Sequence, residues 1–308
     1  MPVEYSDSAA IKGLVTKALG GFYYVWEGEG RVWQCRARGR FRKDEISPMV
    51  GDWVTVEPAS GEDGFSGRVS AIIPRRNSLV RPSVANLDRL ALVISCRDPI
   101  PNLTVIDQLT AIACHREIPV KIIFTKPDLC TPQPYIQVYH QAGFEVFEVN
   151  NLTGEGAQPV QKAFAQGITA FCGNSGAGKS SLLNTLFPKL GLSTGDISQK
   201  LGRGRHTTRH VELFSTEQGG WIADTPGFSA VDFLQWERIP ASQLEHCFID
   251  FIPYVGCCRY TGCSHTTEQG CSILAAVQAG KIPPSRHQSY LAIYQQLKGR
   301  KEWELDKL

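Results

Sequence analysis

No apolar run in the sequence approaches the ~18 residues a membrane span needs, and residues 1–10 are polar, so neither a transmembrane helix nor a secretory leader is expected. Strong net charge is missing as well. The 308 residues are 42% apolar and 20% charged with a net charge of +2, a balance that does not by itself announce a nucleic-acid binder. A disulfide framework is also absent. Of ten cysteines, Cys35, Cys96, Cys114, Cys130 and Cys172 are scattered singly, while Cys247, Cys257, Cys258, Cys263 and Cys271 fall late, the last of them with metal-like spacing. Such usage fits a reduced, cytoplasmic protein better than a secreted one. The length allows two or three domains, each with a real core.

What is present is organised around Gly173-Asn174-Ser175-Gly176-Ala177-Gly178-Lys179-Ser180, which fits G-x-x-x-x-G-K-[ST]. Residues 168–172 read as a buried strand before it, and Ser181 opens a run with helical apolar spacing that Pro188 stops. A strand, a glycine loop and a helix N-terminus aim backbone N–H groups at a phosphate. Lys179 then reaches the β/γ-phosphates and the Ser180 hydroxyl ligates Mg²⁺. The sequence therefore predicts a nucleoside triphosphate site.

Upstream, 89–95 and 119–124 read as buried strands on either side of a helix at 104–116, and 144–149 as a further strand. Thr125-Lys126-Pro127-Asp128 follows the second strand and matches the guanine-reading pattern [NT]-K-x-D. An aspartate there accepts hydrogen bonds from the ring N–H and exocyclic amine of guanine, a pair that adenine cannot supply. Asn150-Asn151 occupies the place of a guanine-closing loop but lacks the usual serine and alanine. Downstream, Gly202-Arg203-Gly204-Arg205-His206-Thr207-Thr208-Arg209 has the look of a switch segment, in which Thr207 or Thr208 would complete the Mg²⁺ shell. Residues 220–223 lead into Asp224-Thr225-Pro226-Gly227, a D-x-x-G pattern in which Asp224 supports Mg²⁺ and the Gly227 N–H senses the γ-phosphate. Phe228 stands where many GTPases carry the glutamine that orients water, so slow unaided hydrolysis is expected. His206 is the catalytic candidate, against the alternative of a surface or RNA-facing group.

Two flanking regions complete the chain. Residues 12–80 read as all-β, with strands near 22–26, 32–35, 52–56 and 67–72 that a five-stranded barrel would close. Arg36, Arg38, Arg40 and Arg42, followed by Lys43, would share one face of a continuous strand. That face suits a phosphate backbone, or a charged edge that resists aggregation. Near the other end, Cys258-x₄-Cys263-x-His265-x₅-Cys271 offers three sulfurs and an imidazole, the donor set of one closed structural zinc site per chain. A helix over 285–308 carries Arg286, His287, Lys298, Arg300 and Lys301, either as a solvated face or as a second RNA contact.

Together these motifs resemble the ribosome small-subunit-dependent GTPase A family, over nearly the whole chain. The expected architecture is multidomain: an OB-fold β-barrel over 1–82, a circularly permuted α/β P-loop GTPase domain over 83–237, and a C-terminal zinc-binding domain over 238–308. The base motif precedes the phosphate loop, the reverse of ordinary GTPases. The resemblance implies a GTP hydrolase, stimulated by the small subunit and acting in late 30S maturation. It also implies partnership with the 30S subunit and 16S rRNA, with GTP and GDP as ligands, no membrane, and a monomeric, cytoplasmic protein. A GTP-gated RNA-binding scaffold with incidental turnover is the alternative.

Overall fold

The computed structural model describes residues 10–38, 41, 46–59, 65–79, 83–190, 211–224 and 239–298. Its first unit is built by strands too short to bury a face alone: β1 (Ile11–Leu19), β2 (Phe22–Gly28), β3 (Arg31–Ala37), β4 (Trp53–Pro58) and β5 (Ser66–Ile72). They pair in the order β1-β2-β3-β5-β4, and an antiparallel β1–β4 ladder closes the barrel. Val15, Val25, Cys35, Phe41, Val54, Val56 and Val69 fill it.

The expected four-arginine strand is corrected here. β3 stops at Ala37. Phe41 is helical and turns into the barrel core, with its N–H donating to Arg38 O at 3.2 Å. Extended alternation cannot pass through Phe41, so the run is not one continuous strand. The Arg36 guanidinium lies 4.6 Å from the Phe22 ring centroid, and Arg38 is ion-paired to Glu57. Arg40, Arg42 and Lys43 lie outside the described residues.

Asp52 ties the barrel to the chain beyond β5: it is fully buried and accepts from Arg75 at 2.7 and 2.8 Å. A small ladder of β6 (Ser78–Leu79) and β7 (Val84–Ala85) leads into the central unit.

That unit is a sheet of β8 (Arg89–Ser95), β9 (Val120–Thr125), β10 (Glu145–Val149), β11 (Ile168–Gly173), β12 (Glu212–Ser215) and β13 (Trp221–Asp224). The order is β10-β9-β8-β11-β13-β12, parallel except for β12. Side chains alternate between two cores. Leu90, Leu92 and Ile94 of β8 face one, with α1 (Leu103–His115) and α2 (Gln133–Gln141). Ala91 and Val93 face the other, under α3 (Ala157–Ala163) and α4 (Lys179–Leu186). Burial on both faces explains the near-continuous apolar runs of these strands. β1 also pairs with β12, so barrel and central sheet form one sheet of 11 strands. At that seam Lys17 meets Glu212 at 2.9 Å and the Trp26 and Trp221 rings pack edge-on, centroids 5.2 Å apart.

The last unit comprises 3-10 turns at Ala241–Cys247 and Ile252–Tyr254, then α5 (Ser272–Gln278) and α6 (Pro284–Lys298). Phe248, Phe251 and Tyr290 pack together inside it. Here the expected basic face is corrected. Arg286 and His287 are only 1% and 8% exposed, because α6 turns Arg286 onto Asp107 of α1 and Asp250, and His287 onto the carbonyl of His265. Arg300 and Lys301 lie outside the described residues. Among the described residues no helix is long and apolar enough to cross a membrane.

Candidate nucleotide site and metal centre

In an open α/β sheet, ligands bind beyond the carboxyl ends of the strands, where the chain can leave in opposite directions from neighbouring strands. The carboxyl ends of β9, β10, β11 and β13 carry, respectively, Thr125-Lys126-Pro127-Asp128, Asn150-Asn151, the glycine loop and Asp224. Permuted chain order thus brings these four strand ends to one edge.

The glycine loop leaves β11 pressed against β8. A Cβ on Gly173 would stand 2.5 Å from Val93 O, so only glycine fits. Gly176 and Gly178 adopt φ of +78° and +80°, alternating with residues of negative φ. Such alternation lines N–H groups along a concave surface that attracts anions. Ala177 between them is buried and closes a turn, its N–H donating to Asn174 O at 3.1 Å. Gly178 caps α4, so Lys179, Ser180 and Ser181 form the first turn of that helix, at its positive end. Asn174 and Ser175 are exposed at the tip.

The loop at 125–128 is locked to this loop. Thr125, fully buried, donates through Oγ1 to Ala177 O at 2.6 Å. Lys126 adopts φ of +57°, and its Nζ donates to Asp98 O at 2.5 Å, a carbonyl that flanks Gly176. Its stem therefore spans the site from β9 to the segment after β8. Pro127 is half-buried, and Asp128 is exposed at the open edge. Sequence reasoning left the Asn150-Asn151 loop open. Asn150 Oδ1 accepts from the N–H of Leu152 at 2.9 Å, and Asn151 Nδ2 donates to Gly178 O at 3.3 Å. His206, Thr207, Thr208, Gly227 and Phe228 lie outside the described residues, as does the side chain of Asp224.

A second cluster lies in the C-terminal unit. The ligand atoms of Cys258, Cys263, His265 and Cys271 all fall within 4.8 Å of one another. Cys258 Sγ and Cys271 Sγ are 3.9 Å apart, and His265 Nδ1 lies 3.6 Å from the first and 3.3 Å from the second. These separations are close to the edges of a tetrahedron with metal–sulfur bonds of about 2.3 Å, so the residues fit a metal ion. Burial drives the Cys263 thiol up to about 12. Burial acts the same way on Cys258, but hydrogen bonds from Ser272 overcome it and draw that thiol down to about 7. Three such sulfurs cannot all ionise together without a cation. Cys257 is exposed and takes no part in the cluster.

Two carboxylates that spacing alone did not single out support this centre. Glu245, well upstream of the ligands, hydrogen-bonds to His265 Nε2, which fixes the ring with Nδ1 toward the sulfurs. Glu268 accepts from the N–H groups of Ser264, Thr266 and Thr267 at 2.8, 2.8 and 3.0 Å. Burial works against its charge, yet bonds from the Ser264 hydroxyl and the backbone outweigh burial and hold its pKa at about 2.

Comparison with known proteins agrees with this geometry. The family model described as RsgA GTPase matches residues 72–234, and that described as RsgA N-terminal domain matches 12–65. The chain is 42% identical over 296 residues to the small ribosomal subunit biogenesis GTPase RsgA of Geobacillus thermodenitrificans, covering 94% of this chain and 98% of that one. With the protein of the same name from Ruminiclostridium cellulolyticum it is 38% identical over 289 residues, 93% of each. Among solved structures, YjeQ from Thermotoga maritima superposes with a TM-score of 0.78 at 28% identity, covering 95% of this chain and all (100%) of that one. YloQ, described as a circularly permuted GTPase, gives 0.77 at 30% identity, covering 97% and 99%.

Proposed function

The chain belongs to the RsgA GTPase family, and on that premise we propose that it hydrolyses GTP in the late maturation of the small ribosomal subunit, gripping the 30S particle in its GTP form and leaving after hydrolysis. The observation that carries the reading is the direct bond between the base-reading and phosphate loops, Thr125 Oγ1 to Ala177 O at 2.6 Å. It supports reading the 125–128 loop as a guanine acceptor beside an anion nest at 173–180. The scaffold alternative is not favoured, because the curated relatives are named as GTPases.

In this reading Asp128 selects guanine, with Thr125, Lys126 and Pro127 shaping its loop. Residues 173–181 hold the phosphates through their N–H groups and the Lys179 ammonium. Ser180, Asp224 and one of Thr207 and Thr208 would hold Mg²⁺, which neutralises charge developing between the phosphates. The Gly227 N–H reports whether the γ-phosphate is present, and His206 is the proposed water-orienting group. Cys258, Cys263, His265 and Cys271 would hold one Zn²⁺, the ion that this sulfur-rich, tetrahedral set suits best.

The division into 1–82, 83–237 and 238–308 assigns the barrel and the metal unit to 16S rRNA, with Arg36, Arg38, Arg40, Arg42 and Lys43 as phosphate contacts. A monomer working in the cytoplasm completes the proposal. Competition binding tests the core of it: GTP and GDP should displace a fluorescent GDP while ATP does not. Asp128→Asn should reverse the preference toward xanthosine triphosphate, because an amide at 128 presents the donor that the xanthine 2-oxo group needs. An Asp128→Asn chain that still prefers GTP contradicts the assignment.

A further inference from the structure

The guanine-reading loops depart from the usual pattern at Thr125 and in the Asn150-Asn151 pair, and the structure brings Thr125 and Asn151 to adjacent carbonyls of the phosphate loop. Thr125 Oγ1 reaches Ala177 O at 2.6 Å, and Asn151 Nδ2 reaches Gly178 O at 3.3 Å. The two loops start side by side, since β9 and β10 end in register at Thr125 and Val149. A Cβ on Gly178 would lie 3.1 Å from Asn151 Nδ2 and 3.6 Å from Thr125 Oγ1, so both side chains close on the bare backbone there.

A trans peptide holds its C=O and N–H in opposite directions. Anchoring Ala177 O on the base-loop side therefore aims the Gly178 N–H the other way, and Asn151, sharing Gly178 O with the Leu182 N–H of the helix at 2.8 Å, adds a second anchor that does the same for the Lys179 N–H. Those are the donors that the nest presents to phosphate. The amide that asparagine would carry at 125 is replaced there by a hydroxyl that reaches one carbonyl, while an amide at 151 reaches the next. Asn151 Oδ1 is buried with no hydrogen-bond partner among the described residues. A buried acceptor in that condition calls for a donor from water or ligand.

We propose that Asn151 is a positioning residue of the GTP site, which together with Thr125 fixes the phosphate-facing N–H groups of Gly178 and Lys179. The inference rests on the reading of this edge as a GTP site. It is tested by competition of GDP and guanosine against a fluorescent GDP, using the full chain and the variants Asn151→Ala, Thr125→Asn and both together. Melting without nucleotide confirms that each variant is folded. One neutral hydrogen bond sets the expected size: Asn151→Ala weakens GDP about five- to tenfold. Guanosine, which has no phosphate, competes as it does with wild type. Adding Thr125→Asn restores GDP affinity to within about twofold of wild type, the remainder being well below one hydrogen bond.

Unchanged GDP affinity in Asn151→Ala overturns the proposal, as does an equal loss for GDP and guanosine. If Thr125→Asn alone is tolerated, failure of the double variant to recover overturns it too. If that variant loses its fold, the split between GDP and guanosine in Asn151→Ala decides alone. A wild-type chain without preference for GTP over ATP removes the underlying reading as well, and that measurement comes before any variant.

Discussion

Arg286 shows how much one side chain can organise. It is 1% exposed, meets Asp107 of α1 at 2.6 Å and Asp250 at 2.7 Å, and lies 4.6 Å from the Phe248 ring centroid. Burial pushes the Asp107 carboxyl up against the pull of the guanidinium, so removing Arg286 strands two carboxylates in a low dielectric. Arg286→Ala should cost about 3–5 kcal/mol in urea unfolding. A cost below about 1 kcal/mol, the range of exposed pairs, contradicts this account. Glu268 makes a smaller prediction with a definite sign. Its pKa falls from 4.5 to about 2 on folding, so its stabilisation is complete above pH 4.5 and vanishes as pH falls through about 2. Compared at matched metal occupancy, Glu268→Gln should lower stability by about 1 kcal/mol at neutral pH, with the difference from wild type closing in acid. At this scale the sequence was legible where chemistry demands a spacing, as in 173–180, 125–128 and the metal ligands. It put Arg286 on a basic face and was silent on Glu245, because their partners are distant in the chain and their residue types usually mark a solvated face.

Elements follow the same division. β8, β9 and β11 are readable because burial on both faces makes them apolar throughout, and α1 because its apolar residues recur at helical spacing. β1 was unreadable as a separate strand. Its burial pattern, four consecutive buried residues between half-exposed ends, does not alternate because it closes the barrel and also borders the central sheet. α2 was missed because Tyr139 is its only fully buried residue. The arginine run misled for a physical reason: alternation of charge with small or apolar residues survives a turn, and Phe41 was needed to plug the barrel. The seam between β1 and β12 can be tested directly. Trp26 and Trp221 meet there as half-buried rings, and aromatic pairs contribute about 0.5–1.5 kcal/mol beyond their burial. Trp221→Ala should therefore destabilise the fold by about 2 kcal/mol, less than a fully buried ring. Lys17→Ala, breaking an exposed ion pair at the same seam, should cost under about 1 kcal/mol. Equal effects of the two, by chemical denaturation, would show that the seam is not held by its aromatic contact.

On the scale of the whole molecule, one sheet joins the barrel to the nucleotide edge, and α6 locks the metal unit onto α1 through Arg286. The metal unit supplies its own check. One Zn²⁺ per chain should be measured by elemental analysis, and Cys263→Ser should lose it and loosen the C-terminal unit while leaving GDP binding at the sheet edge intact. The central claim is a GTPase triggered by its substrate particle, and the most direct measurement is GTP turnover by the chain alone, with purified 30S subunits, and with 50S subunits as control. The account predicts slow turnover alone and with 50S, and strong stimulation by 30S only. Equal turnover in all three would contradict it.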